Sequence, residues 1–265
     1  MNPDQIQQTA IKAAYRGADV LRDLFGRIGH IERKGAIDLV TEADRGSEKA
    51  ILGAIQSHFP GHAVLAEESG SSETVSEYLW IIDPLDGTTN YANRLPFYAI
   101  SIAFAVRAET RFGLVLNPVS GELFTAHLAQ GACLNGHPIA TSAVRSVADS
   151  LLATGFPYNL HECHPSILQR FSRCLMASLG VRRLGSAALD LCFVACGRFS
   201  GFWEENLKPW DTAAGSLIAA EAGAAVTDFS GQAHQPAMKE ILATNGRIHP
   251  EMLELLKLEE NFENR

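Results

Sequence analysis

Trp80-Ile81-Ile82-Asp83-Pro84-Leu85-Asp86-Gly87-Thr88-Thr89-Asn90 is the stretch on which the reading of the whole chain turns. Asp83 follows three apolar residues, so it is expected at the carboxyl end of a buried strand, where open α/β sheets place their ligands. Pro84 fixes the backbone before Asp86, which lets the two carboxylates and the Leu85 carbonyl converge on a small volume. Hard divalent cations such as Mg²⁺ take oxygen ligands of this kind, completed by water and substrate phosphate. Gly87-Thr88-Thr89 then reads as the start of a helix, whose free N–H groups and positive dipole end receive a phosphate. An isolated Asp-Gly would be only a turn. Two Asp, a Pro and Gly-Thr-Thr directly after a buried strand are more than a turn needs. A phosphoaspartate mechanism is the competing reading, but that haloacid-dehalogenase pattern has one residue between its aspartates, and here there are two.

Outward from this stretch, Glu67-Glu68-Ser69 follows one short apolar segment and Trp210-Asp211 opens a helical one, each adding carboxylates at the end of an element. Ile6 to Phe25 carries apolar residues at steps of three and four, the pattern of an amphipathic helix. Thr41-x-x-Asp44 resembles a capping box at the start of a second helix, which Phe59-Pro60-Gly61 ends. Short apolar runs at Ala63 to Ala66, Tyr78 to Ile82, Tyr98 to Val106, Phe112 to Leu116 and Leu123 to His127 read as strands of an antiparallel sheet. Asn117 to Gly121 and Asn135-Gly136 supply turns. Beyond these, strands at Leu151 to Thr154, Val181 to Leu184, Gly201 to Trp203 and Ile241 to Thr244 alternate with helices. Those helices are placed at Pro165 to Ser178, Ser186 to Cys196, Asp211 to Ala222 and Pro250 to Leu258. The change of rhythm divides the chain into two halves, 1–143 with most of the acidic motifs and 144–265 completing the site.

Composition narrows the class of function. The chain has 265 residues, 46% hydrophobic and 20% charged, which excludes disordered and fibrous readings. Lys and Arg number 22 against 30 Asp and Glu, and the net charge of −8 repels a polyanion, so nucleic acid is not an expected partner. The longest apolar run, Tyr98 to Val106, falls short of the roughly 20 residues that span a bilayer. No basic and then apolar leader opens the sequence. Five cysteines without a paired Cys-x-x-Cys fit reduced thiols, and a cytoplasmic location is expected. His161-Glu162-Cys163-His164 lacks the rest of a zinc set. Cys192 and Cys196 read as helix packing, Trp203 and Trp210 as core or interface, Arg182-Arg183 as a solvated pair ahead of a contact to an anionic substrate or an interface, and Glu68 as able to point either way.

Taken together, these segments resemble the inositol monophosphatase family of Mg²⁺-dependent, lithium-sensitive sugar phosphatases, in its bacterial-type branch. The resemblance runs from Lys34-Gly35-x-x-Asp38-Leu39-Val40-Thr41-x-x-Asp44 through Glu67-Glu68-Ser69 and Asp83 to Asn90. It continues through Gly185-Ser186-Ala187-Ala188 to Trp210-Asp211-x-Ala213-Ala214-Gly215 and Glu221-Ala222-Gly223. Tyr91 stands where the family usually has Phe and Ala224 where a second Gly is frequent; neither removes a ligand.

The resemblance implies an α+β or α/β chain folded as a layered α-β-α-β-α sandwich of the inositol monophosphatase and fructose-1,6-bisphosphatase type, and a homodimer. It implies two or three Mg²⁺: one on Glu67, Asp83 and the Leu85 carbonyl, a second on Asp83, Asp86 and Asp211, and a looser third leaning on Glu67. Thr88, helped by Asp44, orients and deprotonates the attacking water, and the Gly87 and Thr88 amides hold the phosphate. Lys34 lies on a loop near the third ion. Glu204, with Asp86, Ala187 and Asp211, faces the polyol. The implied reaction is hydrolysis of inositol 1-phosphate or a similar polyol phosphate by metal-activated water in line. Fructose 1,6-bisphosphate, histidinol phosphate and adenosine 3′,5′-bisphosphate are sibling substrates, and a regulatory binding protein with an incidental site is the alternative of another class.

Overall fold

The computed structural model describes residues 2–27, 31–33, 39–157 and 160–258. In chain order the elements are α1 (Pro3–Leu24), β1 (Ile31–Arg33), β2 (Leu39–Thr41), α2 (Glu42–Gln56), β3 (Ala63–Ala66), β4 (Gly70–Ser71), β5 (Tyr78–Asp86), α3 (Thr88–Ala92), β6 (Ala99–Val106), β7 (Glu109–Asn117), β8 (Glu122–His127), β9 (Ala132–Leu134) and β10 (His137–Pro138). They continue as β11 (Leu151–Thr154), α4 (Leu160–Ala177), β12 (Gly180–Arg182), α5 (Ala187–Ala195), β13 (Gly201–Glu205), α6 (Pro209–Glu221), β14 (Ala225–Thr227), β15 (Glu240–Thr244) and α7 (His249–Leu256).

The period-two alternation of apolar residues explains how these elements stack, because each strand feeds two different cores. Trp80 and Ile82 of β5, Ile100, Ile102 and Phe104 of β6, and Leu114 of β7 pack beneath α1 and α2. Their neighbours Ile81, Ala99, Ala103 and Val115 face the other way, against α5 and α6. The second sheet divides likewise. Ala153, Phe202, Ile241 and Ala243 face α5, while Leu152, Trp203 and Leu242 pack with residues of α4 and α7. The result is five layers, α-β-α-β-α, with α5 and α6 between the sheets.

The first sheet runs β10-β9-β8-β7-β6-β5-β3-β4, antiparallel except for the parallel pair β3 and β5. The second runs β12-β11-β13-β15-β14, with β11 parallel to both its neighbours. Asn135 and Gly136, both at positive φ, form the expected tight turn between β9 and β10. The capping box is also present: Asp44 accepts from the Thr41 amide at 2.7 Å.

Several expected elements are adjusted by the structure. β5 does not end at Asp83. It continues to Asp86 through a bulge, with Asp83 opposite Ser101 and Asp86 opposite Ala99. Pro84 has no N–H to give to the ladder, so the pairing slips there. α4 begins at Leu160 and carries Pro165 inside it. Pro165 is exposed and only two turns into the helix, where water can replace the lost donor. The helix after Gly87 has five residues, too short to develop much dipole. Among the described residues, no helix is long and apolar enough to cross a membrane.

One buried ion pair ties the second sheet to its outer helices. The Arg170 guanidinium donates to Glu205 at 2.6 Å and to the Leu256 carbonyl at 2.8 Å, and lies over the Phe229 ring. Burial outweighs the cation and holds the Glu205 carboxyl above its ordinary range. Replacing Arg170 by Met leaves that carboxyl and the Leu256 carbonyl without this donor. The expected cost is about 3 kcal/mol, read as a lower midpoint in urea at unchanged slope.

Candidate active site

A pocket of about 250 Å³ opens where the ends of β3, β5 and β13 meet the start of α5 and α6. Glu67, Asp83, Asp86, Thr88, Glu204 and Asp211 all line it, together with Gly87, Ala187 and the backbone-presenting Leu85. Residues 121 positions apart along the chain, from Glu204 back to Asp83, are therefore brought to one wall by the meeting of the two sheets. Lys34 lies outside the described residues, as do the side chains of 161–164.

The bulge and the helix caps aim each carboxylate. Asp83 accepts from the Leu85 amide at 2.9 Å and lies close enough to Asp211 for that charge to act on it. Asp211 sits in the first turn of α6 and accepts from the Lys208 amide at 2.7 Å. Asp86 reaches across to α5, accepting from the Ser186 hydroxyl at 2.6 Å and the Ala188 amide at 2.8 Å. The turn that carries these groups is locked by Asn90, whose amide donates to the carbonyls of Phe97 and Leu184, both at 2.8 Å. Gly87 is at φ +101, and a Cβ there would stand 3.1 Å from the Gly185 carbonyl. Only Gly takes both that conformation and that approach without strain.

Crowding of like charge governs the electrostatics. Burial first, then the charges of Glu67, Asp86 and Asp211, hold the Asp83 carboxyl well above the ordinary range. Burial pushes Asp86 up to about 6 against the hydrogen bonds from Ser186 and Ala188. Burial and then Asp86 push Asp211 up to about 7. Glu204 is driven to about 8 by burial and then Asp211. The donor set is hard oxygen: four carboxylates and the Leu85 carbonyl. Among the described residues no three acid, His or Cys side chains are already converged as a closed ion cage. Carboxylates this crowded repel one another when ionised, and a divalent cation would neutralise them.

Behind the pocket, Asp44 is buried and accepts from the Thr41 hydroxyl at 2.6 Å and the Thr88 hydroxyl at 2.9 Å. Desolvation nonetheless leaves it above its ordinary value. The Thr88 hydroxyl has one proton, and the Leu85 carbonyl at 3.1 Å is the weaker acceptor.

Glu204 owes its seat to a glycine. Its carboxylate oxygens lie 2.0 and 2.2 Å from where a Cβ on Gly155 would be. Asp190 is the carboxylate that reading the sequence missed. It is buried on α5 and lines the pocket, yet it stands inside the apolar run Ala187-Ala188-Leu189-Asp190-Leu191, where its periodicity gave no signal. Burial and then Glu204 and Asp86 raise its pKa strongly. Arg183 also lines the pocket, whereas Glu68 does not: its amide is held by buried Glu48 at 2.9 Å. Trp203 is buried in the core and Trp210 lines the pocket.

The sign of these shifts gives a test on the metal-free protein. Asp86, Asp211 and Glu204 have folded values of about 6, 7 and 8, above the roughly 4 of an unfolded carboxyl, so each binds its proton more tightly when folded. Their stabilising contribution is full below the unfolded value and is lost as pH rises through the folded ones. The thermal midpoint in chelator is expected to fall from about pH 5 to about pH 9, and Mg²⁺ to restore most of the loss at the alkaline end. A midpoint that climbs over this range would contradict the assignment.

Known proteins share this chain's sequence pattern and fold. The model of the inositol monophosphatase family matches residues 2–260. The inositol-1-monophosphatase of Synechocystis sp. is 44% identical over 254 residues, covering 95% of this chain and 88% of that protein. Nus factor SuhB of Escherichia coli K12 is 39% identical over 92% of both chains. The crystal structure of extragenic suppressor protein suhB from Bartonella henselae superposes with a TM-score of 0.92 at 37% identity, covering 96% of this chain and 98% of that one.

Proposed function

The chain belongs to the inositol monophosphatase family, and we propose that it is a Mg²⁺-dependent phosphomonoesterase that hydrolyses inositol 1-phosphate or a similar small polyol phosphate. One observation carries this reading: Glu67, Asp83, Asp86 and Asp211 line a single pocket together with Thr88 and Glu204. The volume of about 250 Å³ suits a monosaccharide-sized ester.

Glu67, Asp83, Asp86, Asp211 and the Leu85 carbonyl would hold the ions. Bound Mg²⁺ supplies Lewis acidity toward the phosphoryl oxygens and makes water more acidic. Asp44 takes the Thr88 proton in its 2.9 Å hydrogen bond, which leaves the lone pairs of Thr88 Oγ1 to accept from a water and aim it. The Gly87 and Thr88 amides, freed from the β5 ladder by the turn, would donate to phosphate oxygens. Burial and then the Asp211 charge hold Glu204 up; cations bound at Asp211 would relieve the second of these, so that Glu204 ionises in the loaded site, accepts from polyol hydroxyls and disfavours a second phosphate. Phosphoryl transfer passes through a loose transition state, so such positioning accounts for most of the catalysis.

The test is phosphate release from inositol 1-phosphate, fructose 1,6-bisphosphate and adenosine 3′,5′-bisphosphate, with and without Mg²⁺. Turnover of the inositol ester that requires Mg²⁺ is the expected result. A bisphosphate preferred by orders of magnitude would change the substrate, and silence on all three would remove the reading. Lithium inhibition belongs to the same proposal.

Two further aspects have observations behind them. Leu168, Leu175, Met176 and Leu179 are exposed on and just after α4, beside the edge strand β12, which supports a homodimer; sedimentation tests it. The E. coli relative is called a Nus factor, which favours an added role as a binding partner. A cellular phenotype that survives Asp86→Asn would belong to that role.

A further inference from the structure

The acidic wall of the pocket faces one guanidinium at its mouth. Arg183 lines the pocket while remaining exposed. Its Nη1 lies 2.8 Å from where a Cβ on Gly185 would stand, so the arm folds back over the glycine turn that carries Ser186 toward Asp86. On the other side its Cζ is 5.9 Å from the centre of the Phe156 ring. Phe156 is braced edge-to-face by Phe171. Among the described residues Arg183 has no hydrogen-bond or ion-pair partner. Asp86, Asp190 and Glu204 nevertheless all feel its charge. A guanidinium is a donor-only fork and a carboxylate an acceptor. Two neighbouring hydroxyls satisfy both, since each can donate and accept.

We propose that Arg183 is a specificity-determining residue: it donates to a hydroxyl oxygen of the leaving alcohol while Glu204 accepts from the adjacent hydroxyl, so that the two together read a vicinal diol. The proposal rests on the polyol-phosphate reading above and names how that site recognises its alcohol. A second anionic group on the alcohol would meet Arg183 but also Glu204 and Asp190, so a neutral polyol is the better match. The planar fork matters as well as the charge, because it is positioned by Gly185 on one side and Phe156 on the other.

The experiment compares the full-length wild type, Arg183→Gln and Arg183→Lys with Mg²⁺ on two esters. Inositol 1-phosphate offers vicinal hydroxyls and p-nitrophenyl phosphate offers none. Arg183→Gln is expected to lose at least about tenfold more kcat/KM on the inositol ester than on the phenyl ester, as removal of a charge-assisted hydrogen bond predicts. Arg183→Lys is expected to recover little of that difference, and the sedimenting mass to stay unchanged. Equal losses on both esters, full recovery with Lys, or a loss that tracks a change in mass would each overturn the proposal. If the wild type hydrolyses the phenyl ester and ignores inositol 1-phosphate, the polyol reading falls and this inference with it. If the wild type turns over inositol 1-phosphate and Arg183→Gln matches it, only this inference falls.

Discussion

Asp86→Asn is expected to lower kcat/KM by about a thousandfold or more without lowering the thermal midpoint of the metal-free protein. The first half follows from the position of Asp86 in the proposed ion set: a metal contributes several kcal/mol of transition-state stabilisation, and about 4 kcal/mol corresponds to a thousandfold. The second half follows from crowding. Asp86 is a raised carboxyl among Asp83, Asp211 and Glu204. An amide of the same size still offers an oxygen to the Ser186 hydroxyl and the Ala188 amide, now without a charge to be repelled. Activity and thermal melting in chelator, measured side by side, check both halves. A variant that loses activity and also melts well below the wild type would mean that Asp86 is chiefly structural.

Thr88→Val is expected to reduce kcat by about a hundredfold or more, while Thr88→Ser stays within a few-fold of the wild type. Val keeps the shape of Thr but removes the oxygen that Asp44 holds at 2.9 Å. It also takes one of the donors from a buried carboxylate, so a stability loss of about 1–2 kcal/mol should accompany it. Ser restores the oxygen and its proton, separating the chemical role from the packing role. Single-turnover measurements with saturating Mg²⁺ decide between them. A Val variant retaining most of the wild-type rate would remove Thr88 from the reaction.

How much of this was legible in the residues themselves differs from element to element. Trp80 to Ile82 signalled a buried strand because three apolar residues ran up to an Asp-Pro, and Thr41 with Asp44 signalled a helix start because the capping box is local chemistry. The carboxylates at Glu67, Asp83, Asp86 and Asp211 were legible as groups at element ends, and the structure brings them to one pocket. Asp190 was not legible, since a buried carboxylate in an apolar helical run has no pattern of its own until the other sheet is placed over it. Gly155 was equally silent: its need for a bare Cα comes from Glu204, nearly fifty residues away. β14, only Ala225–Thr227, was missed because three residues cannot display an alternation. Arg183 read as half of a solvated pair and is indeed exposed, but two adjacent arginines do not show which of them stands at the pocket mouth until the fold is placed.

The slip in β5 also constrains how this sequence can change. In an unbroken strand, residues three apart point to opposite sides, so Asp83 and Asp86 would be parted by the sheet itself. Because three steps along β5 answer two along β6, the strand is rephased and both carboxylates reach the same side. Loss of a single residue at Pro84 or Leu85 would leave Asp86 on this side but erase the bulge, and with it the residue whose amide Asp83 holds and whose carbonyl the Thr88 hydroxyl reaches. Substitutions can be absorbed around this point, but changes in length cannot, and natural variants should be free of insertions and deletions between the two aspartates.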